Sequence, residues 1–589
     1  MHFLLAFVRP YYYLGCMAHL HKKIKKGRPY YYVREIARVE GKPKVINQVY
    51  LGTPERMMEL ASGKETEVAR IQAREFGALW LANLIDSELN IAGLIDSVIP
   101  GSDQETGPSV GEYFLYTVLN RMVEPRSKRA LPEWYDSTAI QHVRPVDTKA
   151  LTSQRFWKKW DRVEQKQLEQ IAVLFFKKVA ELEPGVADCF MFDTTNYYTF
   201  IASDTESELA QRGKNKEGKD WLRQVGVALL VSRDTRLPFF YREYEGNRHD
   251  SKLFLRVMDE LFSAMDMVGD GNSEMTIVFD KGMNSEGNIT AIDNHERIHF
   301  ITTYSTYLAE ELTHVDLSEF QPVDTDKNRR LREKGREDDQ VRAWRTTGQY
   351  WGRERAVVVT YNPLTATKQR YVFEKKLVRL QQELHEMQSK VTAQQPHWRN
   401  RKTVQARYED LCAQLHLPAE IYTVEFYEKD KRLRMTFRKN YYRISRYLDR
   451  FGKNIIITDN MTWTTDEIVG ASLDRFVVEN SFRQSKDDDL VSLMPIRHWT
   501  DSKIRCHIFS CIVALTYLRL IEIRLRRAGL SLTAGTVMDH MHRLHSCLVW
   551  QKKKKAPSRI IEEPTELQAV ILKAFGYKIR SGVLQETKR

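Results

Sequence analysis

The sequence predicts an α/β protein built on a mixed sheet in the order β-β-β-α-β-α-β, interrupted by a β-rich and helical insertion. An N-terminal region of β-strands followed by helices alone precedes it. Three observations carry this prediction. Apolar runs bounded by turns and helices begin near residue 187: ADCFMFD (187–193), QVGVALLVS (224–232), LPFFYREYEG (237–246), MTIVFD (275–280) and RIHFITTY (297–304). The connections among the first three, with Arg233-Asp234-Thr235-Arg236 as the tight turn between the second and third, favour antiparallel pairing. The amphipathic stretches 251–265 and 285–294 then separate the later strands, as crossovers to parallel strands require.

Taken in order, residues 1–65 are β-rich, with strands at 30–33 and 45–52 around a Gly41-Lys42-Pro43 turn and the basic run HKKIKKGR (21–28) ahead of them. Residues 66–183 switch to helical spacing, in FGALWLANLI (76–85), VGEYFLYTVLNRMV (110–123) and EQKQLEQIAVLFFKKVAEL (164–182), a candidate DNA-binding domain. Residues 184–304 hold the first part of the sheet and 305–455 the insertion. The insertion contains a strand at 355–361 and a helix at 374–392, where Leu377, Leu380, Leu384, Met387 and Val391 make a two-heptad seam. At 431–451 it is rich in Lys and Arg with Tyr and Phe interleaved, either a surface for phosphates and bases or a solvated basic connection. Residues 456–550 complete the sheet, with NIIITDN (454–460) returning to strand texture and helices expected at 465–487 and 501–527. A basic tail, 551–589, opens with Lys552 to Lys555 and is expected to be loosely ordered.

Composition narrows the function. Of 589 residues, 91 are Lys or Arg and 78 Asp or Glu, a net charge of +13 that points to a polyanion partner, nucleic acid first. With 42% hydrophobic and 11% aromatic residues the chain is too rich in core formers to be disordered. The six cysteines make no CxxC pair, which excludes a zinc ribbon and fits reduced thiols in a cytoplasm. No uninterrupted run of 18 apolar residues occurs, and FLLAFV (3–8) is a poor signal peptide, so no membrane partner is expected.

The chemistry is expected where acids meet the sheet. Asp193 and Asp280 are each the last residue of a predicted strand, the first and the fourth. Side chains there face the crevice above an α/β sheet, and two carboxylates side by side call for a cation, for which hard oxygen ligands suit Mg²⁺ or Mn²⁺. A third ligand should come from a helix packed on the sheet. In DRFVVENSFRQSK (474–486), Arg475, Glu479, Phe482 and Lys486 share one helical face. The alternative reading of Arg475 and Glu479 is an i, i+4 ion pair on a solvated face.

These residues resemble the RNase-H-like catalytic core of DDE (Asp-Asp-Glu) transposases, in particular the bacterial insertion-sequence branch whose core is split by a β-strand-rich insertion. That branch carries Tyr, two residues, Arg, three residues, Glu, six residues, Lys. Arg475, Glu479 and Lys486 match this spacing, while Ser472 stands in the Tyr slot. Asp280-Lys281-Gly282-Met283-Asn284, GNRHDSK (246–252) and the segment 494–515 add to the likeness, which runs from about residue 28 to 550. The resemblance implies a transposase that cuts DNA at insertion-sequence ends through a hairpin intermediate and joins the ends to target DNA. It implies that Asp193, Asp280 and Glu479 are catalytic and hold two Mg²⁺ or Mn²⁺ ions per active site. Arg475, Arg483 and Lys486 would contact DNA, and an aromatic of the insertion, Trp344 or Trp351, would stack on a flipped base. The implied partners are double-stranded DNA with terminal inverted repeats, target DNA, and a second copy of the chain in a synaptic homodimer. The implied location is the prokaryotic cytoplasm, with the nucleoid. The competing readings are an RNase-H-like nuclease or recombinase that cuts without joining, and a catalytically inactive DNA-binding relative.

Overall fold

The computed structural model describes residues 17–587 apart from 26, 40–41, 62–67, 102–106, 185–187, 203, 214–217, 249, 269–273 and 553–554. The leading FLLAFV, Cys16, Gly41, and Lys553 and Lys554 of the lysine run lie outside the described residues. Two compact units result, one of residues 1–73 with 546–561 and one of the remainder.

In the smaller unit the chain runs β1 (Met17–Lys25), β2 (Arg28–Val39), β3 (Lys42–Gly52), α1 (Pro54–Ala61) and β4 (Val68–Glu75). The basic run expected ahead of the first hairpin is itself a strand, β1, pairing antiparallel with β2 from Met17↔Ile36 to Lys25↔Arg28. Alternation explains this: Leu20 and Ile24 fall on one face and His21, Lys23 and Lys25 on the other.

The larger unit opens with six helices: α2 (Gly77–Leu89), α3 (Ile91–Val98), α4 (Val110–Val123), α5 (Leu131–Ser137), α6 (Ser153–Trp160) and α7 (Gln165–Leu182). Helix α4 starts on a capping box between Ser109 and Glu112. Next come β5 (Cys189–Tyr198), β6 (Gln211–Arg212), β7 (Arg223–Ser232), β8 (Pro238–Glu245), α8 (Asp250–Val268), β9 (Met275–Phe279), α9 (Glu286–Asp293) and β10 (Ile298–Tyr304). Strands β5 and β7 are antiparallel, β7 and β8 antiparallel, β5 and β9 parallel, and β9 and β10 parallel. These strands read as near-continuous apolar runs because the sheet is covered on both faces.

The stretch read as an insertion divides in two. Strands β11 (Gln321–Pro322), β12 (Arg342–Tyr350) and β13 (Arg353–Tyr361), with α10 (Asp326–Glu333) between the first two, extend the same sheet. Strand β13 pairs with β16 (Lys453–Thr458), which pairs with β10. Between β13 and β16 stand α11 (Pro363–Thr392), α12 (Arg401–Leu415), β14 (Tyr422–Lys429), β15 (Arg432–Lys439) and α13 (Tyr441–Leu448). These share a separate core of Phe373, Leu380, Leu384, Met387, Val404 and Tyr408, so the predicted heptad seam is satisfied inside the chain.

The expected single helix over 465–487 is broken into α14 (Thr465–Leu473) and α15 (Phe476–Ser485). Arg233, from the β7–β8 turn, donates to Asp474 at 2.7 Å in the gap. Helix α16 (Asp501–Arg527) is long and apolar enough by composition to cross a membrane, but its apolar window is wholly buried against the sheet and the helical layer. The end of the chain is built rather than loose: α17 (Ala534–His542), β17 (His545–Gln551), β18 (Ser558–Ile561), α18 (Glu566–Ala574), β19 (Tyr577–Arg580) and β20 (Val583–Glu586). Thr565 and Gln568 cap α18 reciprocally, and Trp80 packs edge-on to Tyr577.

Candidate carboxylate site

The site is set by the parallel pairing of β5 and β9. Phe190 lies opposite Ile277 and Met191 opposite Val278, so Asp193 and Asp280 are the next same-face positions, two residues beyond the last such pair. Asp280 stands just past the end of β9, as expected. Asp193 does not end its strand: β5 continues to Tyr198, because Thr194 to Tyr198 pair with β7 beyond the point where β9 stops. The predicted strand-end position is therefore corrected to mid-strand, on the face that carries Tyr197.

Helix α15 crosses β5, pinned by a 2.7 Å hydrogen bond between the Tyr197 hydroxyl and Ser485 Oγ. Lys486, which closes the helix, has its Nζ 5.3 Å from the Tyr197 ring centre. Arg483 donates to Asn480 at 2.7 Å on the exposed side. Glu479 lies in the first turn of α15.

Arg475 links two of the acids. Its Nη1 donates to Asp280 Oδ1 at 2.6 Å, and its Nη2 is 3.7 Å from Glu479 Oε1. The ion pair with Glu479 weighed from sequence is present, and Asp280 adds a second, shorter one. Asp280 also accepts from the Thr303 hydroxyl at 3.2 Å. Burial pushes the Asp280 carboxyl upward. The Arg475 charge and hydrogen bond, with the Lys281 N–H and the Thr303 hydroxyl, overcome this and hold it below its ordinary value. Thr303 was not legible as a site residue; only its place at the end of β10, beside Asp280, marks it.

Asp280, Arg475 and Glu479 line one open cleft of about 490 Å³, with Thr303, Tyr307 and Lys453 on its walls. Ser472, in the place of the signature Tyr, lines it too. Asp193, although next in register to Asp280, does not line this cleft. Among the described residues no three His, Cys, Asp or Glu side chains are gathered closely enough to hold a metal ion. A second cleft of about 440 Å³ shares Thr306, Tyr307 and Lys453 with the first and continues to Lys368, Lys376, Tyr447 and Arg450.

Trp344 and Trp351 stand elsewhere. Both are partly buried on a core that includes Phe320, Val357, Val359 and Ile457, and Trp351 packs edge-on to Phe300 and Tyr304 at 5.9 and 5.7 Å. These rings cover part of the main sheet, to which β12 and β13 belong. Among the described residues the exposed aromatics of the insertion are Tyr307, which lines the cleft, and Tyr371, Tyr427, Tyr441 and Tyr442.

The mixed sheet thus carries two aspartates in register, with the helix that bears Glu479 packed on the first of their strands. The chain belongs to the transposase DDE domain family, whose sequence profile matches residues 197–517, more than half its length. The match covers Asp280 and Glu479 and begins just after Asp193. Among solved structures, a piggyBac transposase synaptic complex with hairpin DNA is similar at 9% identity and a TM-score of 0.37, over 80% of this chain and 82% of that one. No curated protein sequence matches.

Proposed function

We propose that this transposase-family chain is a metal-dependent DNA strand-cleaving and strand-transfer enzyme acting at the ends of an insertion sequence, with Asp193, Asp280 and Glu479 as its catalytic acids. The observation that carries the reading is the register of Asp193 beside Asp280, with Glu479 brought across by α15 and tied to Asp280 through Arg475. The strand order β8-β7-β5-β9-β10, with β7 antiparallel to both neighbours, is the one expected of an RNase-H-like core and supports it.

The donor set fits a hard divalent cation. All three side chains offer carboxylate oxygen, and a cation, the Arg475 guanidinium, already bridges two of them. Mg²⁺ or Mn²⁺ held there would activate the attacking oxygen and stabilise the leaving one. This requires Arg475 to leave Asp280 and Glu479 to close on the two aspartates. Thr303, which donates to Asp280 at 3.2 Å, would help to orient it. Arg475, once released, and Lys486, on the Asp193 face of β5, would neutralise phosphates of the bound strand. Duplex DNA bearing terminal repeats is the proposed substrate, and a pair of chains on two ends the proposed assembly.

The test is cleavage of an end-bearing duplex in Mg²⁺ by the full chain. Asp193→Asn, Asp280→Asn and Glu479→Gln are each expected to lower cleavage by at least about 10³-fold, consistent with loss of a charge-stabilising group in a preorganised site, while DNA binding persists. Native-like cleavage by any one of them refutes the assignment of that acid. Strand transfer of the cut end into a plasmid separates the transposase from a nuclease that only cuts.

A further inference from the structure

The basic segment 431–451 resolves into two different surfaces. Its first part is β15, the second strand of a hairpin with β14 that runs from Tyr422↔Lys439 to Lys429↔Arg432 around a tight turn at Asp430 and Lys431, both with positive φ. One face of this hairpin is spent on packing: Val424, Phe426, Leu433 and Phe437 lie against the core under α11, and Met435 is fully within it. Residues directly opposite share a face, so the other face carries Lys429, Arg432, Arg434 and Arg438, with Glu425 as its single acid and Tyr427 exposed. Arg438 is 77% exposed, and its contact with Glu425 is a long 3.7 Å, which leaves the acid a weak competitor. Arg434 donates to the Thr392 carbonyl at 3.3 Å.

We infer that the outer face of the β14–β15 hairpin is a duplex-DNA docking surface that grips DNA leading away from the carboxylate cleft. Four cations against one acid on an eight-residue ribbon are complementary to a phosphate backbone. A two-stranded ribbon, about 27 Å long at this length, is also of a size that the major groove admits. Continuity points the same way. Helix α13 starts straight after β15 with exposed Tyr441, Tyr442 and Arg443. It spans about 12 Å and delivers Tyr447, with Arg450 just past its end, to the cleft that adjoins the Asp280–Glu479 pocket. This inference rests on the transposase reading for the identity of the DNA, but not for the existence of the surface.

The test uses the full chain and a fluorescent 30-bp duplex of arbitrary sequence, with binding followed by anisotropy over a salt series. Replacing Arg432, Arg434 and Arg438 together by Ala is expected to reduce the slope of log affinity against log salt by about 2 to 3, since each lost phosphate contact removes about 0.9. Affinity should fall at least tenfold. The triple Arg→Lys variant keeps the charge and should keep most of the slope, while thermal melting of both variants reports folding. An unchanged slope overturns the inference. So does an equal loss when exposed Lys327, Lys402 and Lys573 are replaced by Ala, which would make the effect one of net charge. A loss seen only with single-stranded DNA overturns the duplex assignment. A shift from dimer to monomer in sedimentation would assign the face to a second copy of the chain and overturn it as well. Because the readout is binding, it stands or falls separately from cleavage by the Asp193, Asp280 and Glu479 variants.

Discussion

On the proposed function a divalent cation would take the place that Arg475 holds between Asp280 and Glu479, and removing Arg475 should therefore tighten metal binding, the opposite of what a supporting residue would do. The structure sets the size of the effect. A hydrogen bond between charged groups is worth about 1.5–3 kcal/mol when shielded. Here the Arg475 side chain is 26% exposed and Asp280 42%, so solvent reduces the pair to about 1 kcal/mol. That energy must be given up when a cation displaces the guanidinium. Arg475→Ala should then bind Mn²⁺ about fivefold more tightly than the native chain at neutral pH, at tenfold per 1.4 kcal/mol. Isothermal titration or the electron paramagnetic resonance of free Mn²⁺ measures this without any reaction taking place. The pH dependence should move as well. Without Arg475 the burial of Asp280 is less opposed and its carboxyl rises, so metal binding should be lost at a higher pH in the variant than in the native chain. Unchanged or weaker Mn²⁺ binding at pH 7 would refute the displacement, and would make Arg475 a brace for Glu479 instead.

Two further outcomes follow from the packing. Glu75 accepts hydrogen bonds from the Ala78 and Leu79 N–H groups while fully buried, and burial raises its carboxyl to about 8 from 4.5. A raised acid costs stability as pH climbs from the unfolded value to the folded one, so Glu75→Gln should gain melting temperature over the native chain between pH 4.5 and 8 and level off above; a constant difference across that range would refute it. Trp351→Ala should destabilise by about 2 kcal/mol, the low end for a large aromatic because the ring is only partly buried, with duplex affinity unchanged at temperatures where it is folded; loss of DNA affinity without loss of stability would return Trp351 to a base-stacking role.

The order of the central strands and the place of Asp280 were legible because buried strands are apolar along their whole length and stop at polar residues. Met275 to Phe279 followed by Asp280 is such a run. Asp193 misled for the same reason. Thr194, Thr195 and Asn196 look like the end of a strand, and only the pairing with Ala228, Val227 and Gly226, more than thirty residues on, extends it. The break before α15 had no local signal, since LDRF contains neither Gly nor Pro. It is fixed by Arg233 reaching Asp474 from another part of the sheet. The place of the two tryptophans on the sheet was not legible because the pairing of β13 with β16 crosses nearly a hundred residues, from Ala356↔Thr458 to Tyr361↔Lys453. The same long crossing separates 321–361, which completes the sheet, from 363–448, which builds its own core.

The break in the helix also reconciles two roles for Arg475 that looked exclusive. The sequence placed it on DNA phosphate; the structure places it on Asp280. Standing at the junction between α14 and α15, it caps the second helix, its carbonyl accepting from the Val478 N–H at 3.3 Å, while its side chain reaches the cleft. While it bridges Asp280 and Glu479 it offsets the repulsion of acids brought together by the sheet, which would otherwise oppose folding. Were a divalent cation to take over that neutralisation, as the proposed function requires, the guanidinium would be freed beside the same cleft, where a phosphate would be the remaining anion. One arginine would then serve the acids and the substrate in turn, and the fivefold gain in Mn²⁺ affinity expected of Arg475→Ala should be accompanied by weaker, not stronger, binding of DNA ends.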